Sequence, residues 1–397
     1  MEKMTQIPAS AGRVHVLHVV RHGLAAGGME NGIINVANAL PADRFRVSVC
    51  ALDSRQTFSE RIRRSDAEYF LLPKVGGGIH WKLVWRLSRL LRRSGIDVVH
   101  SHNWGSFLYA VLAAKLAGVP VIHGEHGKNA GELDERNRPK RWTKSQLGRR
   151  VDRLVTVSRA IADEWAGYGV PEEKILWIPN GVDVERFRPR DDKRLHRRNF
   201  GLPEDGLLLG TVSRLDPIKN YEVLLAAFAR LAQEFPGCHL AFLGDGPSEQ
   251  TLRAQAHSLG LADRIYWLGR RPDPENFLPA LDVFALPSKS EGMSNVVLEA
   301  MASGLPVVAA DLPAHREVFE PDREGILVSP CTADALAQSL AGLMKNPEQR
   351  QALGRAARHK VLARFNLTRM ISDYERLYAG YAPSEAMRMA RANFAQG

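Results

Sequence analysis

Residues Ser288–Ala310 read S-K-S-E-G-M-S-N-V-V-L-E-A-M-A-S-G-L-P-V-V-A-A. An apolar strand, Val283–Leu286, runs into this stretch. A helix is expected from near Asn295, and Pro306–Ala310 reads as the next strand. Strand, loop, helix and strand in that order form the unit of a parallel α/β sheet. Two carboxylates bracket the turn: Glu291 just before the helix and Glu299 about one turn inside it. A helix start offers free N–H groups and partial positive charge, so it suits phosphate. Gly292 lets a ligand come close to the backbone, and a carboxylate can accept two hydroxyls at once. Acids here could also merely complement the helix dipole. A capping box does not explain Glu299, because three residues after Ser294 or Asn295 stand Val297 and Leu298.

The same alternation extends in both directions. Towards the N-terminus, strands are expected at Val14–Val20, Arg46–Leu52, Asp97–His100, Pro120–His123 and Leu154–Ser158. Helices are expected at Met29–Leu40 and Phe107–Ala117. The pattern restarts with strands at Leu207–Ser213, His239–Leu243 and Arg264–Leu268, a helix at Tyr221–Leu231, and a long helix at Ala333–Lys345. Between the halves, Pro179–Asp205 carries turn formers and the mixed-charge run Arg190 to Arg198, and reads as a joint. Domains are expected at 1–189 and 190–365, with a terminal helix at 366–397; Pro383–Gly397 shows no core face. A chain of 397 residues suits two such domains. Parallel sheets of this kind bind ligands beyond the carboxyl ends of their strands.

Composition narrows the classes. Apolar residues make up 45% and charged residues 25%, as in a water-soluble globular protein. The formal charge of +10 favours an acidic partner: a nucleotide, nucleic acid or anionic membrane. Cys50, Cys238 and Cys331 are scattered and odd in number, which argues against a disulfide framework and against a zinc site. Neither a secretory leader nor a run of roughly 18 apolar residues is evident. The expected location is therefore cytoplasmic, with at most peripheral contact at the inner face of a membrane.

Four further motifs lie at expected strand ends. In S-R-L-D-P-I-K-N-Y, Arg214 and Lys219 precede a helix that Asn220 is placed to cap. A cation at a helix start is disfavoured by the dipole, unless an anion lies between them; two cations can neutralise a diphosphate without a metal. Gly27-Gly28-Met29-Glu30 is neither G-x-G-x-x-G nor a phosphate loop with its lysine. His123-Gly124-Glu125-His126-Gly127 lacks the H-E-x-x-H spacing of a helical metal site, so no metal is expected and His126 reads as a partner for sugar hydroxyls. Gly244-Asp245-Gly246-Pro247 reads as a rim turn, and Arg270 is placed to lie along a base. Trp81–Arg93 alternates Arg86, Arg89, Arg92 and Arg93 with leucines. That suits a helix with one face in the core or one lying on anionic lipid.

In combination and order, these motifs resemble the family 4 glycosyltransferases over nearly the whole chain. Ile178-Pro179-Asn180-Gly181-Val182-Asp183 with Phe187 resembles the family's interdomain segment. H-G-E-H-G and E-G-M-S-N resemble a branch serving bacterial exopolysaccharide, including the PEP-CTERM/EpsH-associated sugar transferases. The resemblance implies a GT-B fold, two Rossmann-like doubly wound domains facing a central cleft, with the C-terminal helix around Leu367–Tyr378 crossing back to the first domain. It also implies a retaining transfer from a UDP- or GDP-sugar to a glycan or lipid-linked saccharide, with no cofactor. Arg214 and Lys219 would hold the diphosphate. Glu291 would contact the donor sugar, with the backbone of Gly292, Met293 and Ser294 beside it and Asn295 and Val296 opening the helix. Glu299 would bind ribose, His126 the transferred sugar, and Gly27 and Gly28 would let a loop close over the donor, with Gly244, Asp245, Gly246 and Arg270 also at the donor. Other readings are an epimerase or phosphorylase on the same architecture, or a non-catalytic protein binding anions or membrane; no nucleic-acid motif is present.

Overall fold

The computed structural model describes residues 12–22, 27–53, 61–74, 76, 78–127 and 138–382. The chain divides into two compact units. Among the described residues, one comprises 12–127, 138–179 and 370–382, and the other comprises 180–369. The change therefore falls at Pro179–Asn180 rather than at 189. The expected Pro383–Gly397 tail lies outside the described residues.

The first unit holds seven strands: β1 Val14–Val20, β2 Phe45–Ala51, β3 Glu68–Leu71, β4 Val98–His102, β5 Val121–Glu125, β6 Arg153–Thr156 and β7 Ile175–Trp177. They lie side by side in the order β3-β2-β1-β4-β5-β6-β7, every pairing parallel. All of β1, β4 and β5 is buried, as expected for strands covered on both faces. The helix Asn103–Ala117 buries Phe107, Ala110, Val111 and Ala114 and ends at Gly118 in the left-handed region, where glycine is at ease. From Met370 on, the terminal helix Leu367–Ala379 belongs to this unit; Met370, Tyr374 and Tyr378 are buried, and Glu375 pairs with Arg44.

The second unit holds β8 Leu207–Val212, β9 Cys238–Leu243, β10 Ile265–Trp267, β11 Val283–Leu286, β12 Val307–Ala310 and β13 Ile326–Val328, in the order β10-β9-β8-β11-β12-β13. All are parallel. In both sheets the chain builds outward on one side and then restarts on the other. The reversal falls between β1 and β4 in one sheet and between β8 and β11 in the other. Loops diverge at such a switch point and leave a crevice at the strand ends.

Three strands escape the sequence pattern: β3, β7 and β13 are short and mostly half-buried, so they give little apolar signal. The joint at Pro179–Asp205 also needs correcting. Part of its charged run is a helix, Lys193–Asn199. Arg197 there is 3% exposed, bonds Asp282 at 2.6 Å, and donates to the carbonyls of Ala280, Glu204 and Gly206. A guanidinium can be buried when its fork of donors is saturated.

Candidate functional site

In the second unit, the loops after β8 and β11 are tied together at the switch point. Lys289 N–H donates to the Ile218 carbonyl at 2.8 Å, and Asn220 Nδ2 donates to the Pro287 carbonyl at 3.2 Å. Asn220 does stand at the start of the helix Tyr221–Glu234, in the left-handed region, but its side chain does not cap that helix; it is spent on the neighbouring loop. This zipper brings Lys219 Nζ within 2.7 Å of Glu291 Oε1, and Ser288 Oγ donates to the same oxygen at 2.7 Å. Burial works against the Lys219 charge. Glu291, Tyr221 and Asp216 outweigh it and hold the ammonium above its usual range.

Beyond Glu291, Gly292, Met293 and Ser294 are buried. The helix Asn295–Ala302 begins at Ser294 with no side-chain cap, so its leading N–H groups are not met by that side chain. Val296, in its first turn, and Glu299 are both half-buried. Burial pushes the Glu299 carboxyl up to about 8, against the pull of Arg186 and helped by Glu275. Arg214 is exposed at the end of β8. The arrangement is thus a cation, a paired carboxylate, a helix start and a second carboxyl held proton-rich.

The glycines after β9 have a packing reason. Gly244 has φ +145°, and a β-carbon there would sit 1.9 Å from the Ser213 carbonyl oxygen; one on Gly246 would sit 2.5 Å from that of Leu215. Leu215 N–H donates to the Asp245 carbonyl at 2.8 Å, and Gly244 N–H to that of Gly269. This turn shapes the Arg214 loop by lying against it, while the side chains of Asp245 and Arg270 are exposed. One residue had no sequence signal. His315, fully buried on the helix Pro313–Val318, hydrogen-bonds the Ala310 carbonyl through Nδ1 at 2.7 Å, and its Nε2 has no partner among the described residues. Burial holds it below its usual range, with Glu291 pulling it up. Nothing in P-A-H-R-E-V sets it apart from a surface histidine.

The first unit carries the remaining candidates. Gly27 and Gly28 are exposed at the start of the helix Gly28–Ala39. The Glu30 carboxylate curls back so far that a β-carbon on Gly27 would meet its Oε2 at 2.1 Å. His126 follows β5. Its backbone N–H donates to Asn103 Oδ1 at 2.9 Å, and its Nε2 lies 3.0 Å from His102 Nδ1. Burial takes it down to about 4, with Glu125 opposing, so the imidazole is neutral. Glu125 is itself buried, 3.6 Å from Lys144 and 3.8 Å from His123.

Residues 192–360 match the family of glycosyl transferases group 1, and residues 26–186 match glycosyltransferase family 4. A D-inositol 3-phosphate glycosyltransferase of Actinosynnema mirum is 34% identical over 283 residues, covering 66% of this chain and 68% of the relative. The corresponding protein of Segniliparus rotundus is 32% identical, with 61% of its length covered. The chain thus spans about two-thirds of the length of these relatives. A UDP-Gal:alpha-D-GlcNAc-diphosphoundecaprenol alpha-1,3-galactosyltransferase of Escherichia coli is 29% identical over 74% of this chain and 77% of its own. Among solved structures, HepE of Anabaena in complex with UDP and glucose superposes with a TM-score of 0.79 at 22% identity, covering 90% of this chain and 97% of that one. WaaG, described as involved in lipopolysaccharide biosynthesis, superposes with 0.74 at 17% identity, over 92% and 100%. These likenesses place the fold among GT-B glycosyltransferases.

Proposed function

The chain belongs to the family 4 glycosyltransferases, an enzyme family of GT-B fold, and on that premise we propose that it moves a sugar from a UDP-sugar, with anomeric retention, to a lipid-linked or glycan acceptor in polysaccharide assembly. The observation that carries this is the Lys219–Glu291–Ser288 cluster at the head of an uncapped helix, at the switch point of the second sheet. A diphosphate seated there would meet the Lys219 ammonium and the leading N–H groups of the helix, with Arg214 within the same loop, and so would need no metal to offset its charge. Glu299 would take the ribose hydroxyls.

No carboxylate is assigned as a nucleophile, so the retaining route is a same-face one. The departing phosphate takes the acceptor's proton while Lys219 and Arg214 stabilise its growing charge. His126, neutral and held by His102 and Asn103, would hydrogen-bond the sugar. UDP is preferred to GDP because the Escherichia coli relative is named for a UDP donor and the Anabaena structure holds UDP. A thermal-shift screen of UDP, GDP and ADP and their sugars tests the reading, since a ligand of the folded state raises its melting point. UDP and a UDP-sugar should raise it; no shift with any nucleotide overturns the assignment.

A peripheral membrane contact has its own support. The helix Trp81–Arg93 buries Leu83, Val84, Leu87 and Leu91 and exposes Trp81 (66%) and Trp85 (54%) with Lys82, Arg86 and Arg89. Exposed indoles among cations suit the headgroup level of an anionic bilayer. No described helix is long and apolar enough to cross a membrane. Sedimentation with phosphatidylglycerol vesicles should fall on Trp81→Ala with Trp85→Ala; equal binding by the double variant refutes this face.

A further inference from the structure

The switch point of the first sheet carries a histidine cluster to which the reaction above gives no part beyond His102 holding His126. His18 comes from β1, and His100 and His102 come from β4 beside it. Their exposures are 1%, 0% and 3%. One ring nitrogen from each lies within 4.8 Å of the others. The β1–β4 register sets this up, since His18 stands opposite His100 in the parallel pairing and His102 follows two residues on, on the same face.

The outer nitrogens are occupied. His100 Nδ1 lies 2.7 Å from the Tyr378 hydroxyl, and His102 Nδ1 lies 3.0 Å from His126 Nε2. This leaves His100 Nε2 and His102 Nε2 on the inner side. His102 Nε2 is 2.9 Å from His18 Nδ1, while His18 Nε2 and His100 Nε2 are buried without a hydrogen-bond partner among the described residues. Bare buried ring nitrogens are unfavourable unless something binds them. An imidazole that engages a partner through one nitrogen and presents the other inward has the orientation of a metal ligand with its supporting hydrogen bond. Position 124 is shaped accordingly. A β-carbon on Gly124 would stand 2.9 Å from His100 Nε2, 3.1 Å from His126 Nε2 and 3.2 Å from His102 Nδ1, so any larger residue would crowd these nitrogens.

We propose that His18, His100 and His102 form a binding site for one divalent transition-metal ion of the zinc class, with Tyr378 and His126 orienting two of the ligands and Gly124 leaving the room. Three neutral nitrogen donors with no carboxylate among them suit zinc, cobalt or nickel and disfavour magnesium and calcium, which take oxygen. The ligands come from two strands and the bond that steadies His100 from the terminal helix, so the ion would pin Tyr378 to the sheet. This site is separate in chemistry from the donor-phosphate cluster, and its test needs no sugar donor.

The test uses the full chain, prepared without a histidine tag and stripped of metal by chelator. It is titrated with Zn²⁺ by calorimetry and with Co²⁺ by visible absorption. We expect one equivalent of either ion to bind, with a tetrahedral or five-coordinate Co²⁺ spectrum, and a raised melting temperature for the Zn²⁺ form. His18→Gln and His100→Gln should lose the binding, and Tyr378→Phe should weaken it by about 10-fold or more. Gly124→Ala, which keeps every histidine, should also weaken it and so decides the matter where a glutamine variant misfolds. Absence of stoichiometric binding by the folded wild-type chain overturns the proposal. So does binding that is unchanged in the folded His18, His100 and Gly124 variants.

Discussion

The Lys219–Glu291 pair can be weighed by a double-mutant cycle that needs no knowledge of the donor. The two charges lie 2.7 Å apart with side chains 18% and 10% exposed. At an effective dielectric of about 20, Coulomb attraction at this distance is about 6 kcal/mol. Removing both ions from water cancels much of that, so a net coupling of about 2 kcal/mol is expected. Lys219→Met should cost about 2–3 kcal/mol, because among the described residues Glu291 then keeps the Ser288 hydroxyl as its hydrogen-bond partner. Glu291→Gln should cost a similar amount, and the double variant little more than either single one. For a unit of this size, about 2 kcal/mol corresponds to a melting shift of about 4–8 °C, measurable by calorimetry on the four proteins. Repeating the cycle with saturating UDP should shrink the coupling, because the ammonium then serves phosphate as well. Additive single losses, with coupling below about 0.5 kcal/mol, would mean that the loops after β8 and β11 do not hold the pair in solution, and the preformed phosphate site would fall with it.

Four further outcomes are expected. Arg214→Ala and Lys219→Ala should each lower turnover by roughly 10²-fold, about 3 kcal/mol of charge stabilisation; near-normal rates in both, by nucleotide release, would remove them from the reaction. Activity should persist in EDTA, and complete loss there with rescue by Mg²⁺ would contradict a diphosphate held by cations alone. Glu299, raised from 4.5 to about 8, keeps a proton in the folded state that the unfolded chain has lost between those values. Its contribution to stability is therefore full below about pH 4.5 and is lost as pH rises through about 8. Glu299→Gln should flatten that fall in melting temperature and weaken UDP binding by calorimetry, and an unchanged slope and affinity would refute its assignment. Gly244→Ala should cost about 3 kcal/mol, through the 1.9 Å approach of its β-carbon to the Ser213 carbonyl; a melting point within a degree of wild type would show that the turn does not lie against the Arg214 loop.

Much of the molecule is legible residue by residue. Strands covered on both faces are mostly apolar runs, broken in β1 only by His15 and His18, so β1 and β11 are found with their observed ends, as is the helix Ala333–Lys345. The strand–loop–helix of Ser288–Ala310 and its flanking acids are equally local, and the family follows from them. What escapes is short or depends on distant partners. β3, β7 and β13 are half-covered edge or near-edge strands with weak periodicity, and Arg197 looks like a solvated charge until Asp282 and three carbonyls meet it.

The chain by itself determined which segments become strands and helices and which loops carry cations, acids and glycines, because hydrophobic period and turn chemistry act over a few residues. Only the tertiary structure decided who meets whom. Strand order placed the β8 and β11 loops side by side and so joined Lys219 to a carboxylate 72 positions away. It also set His18 opposite His100 in register and brought Tyr378 onto that cluster from the far end of the chain. Those encounters depend on sheet pairing and helix docking, whose energies are summed over the whole core and leave no mark in the spacing of any single motif.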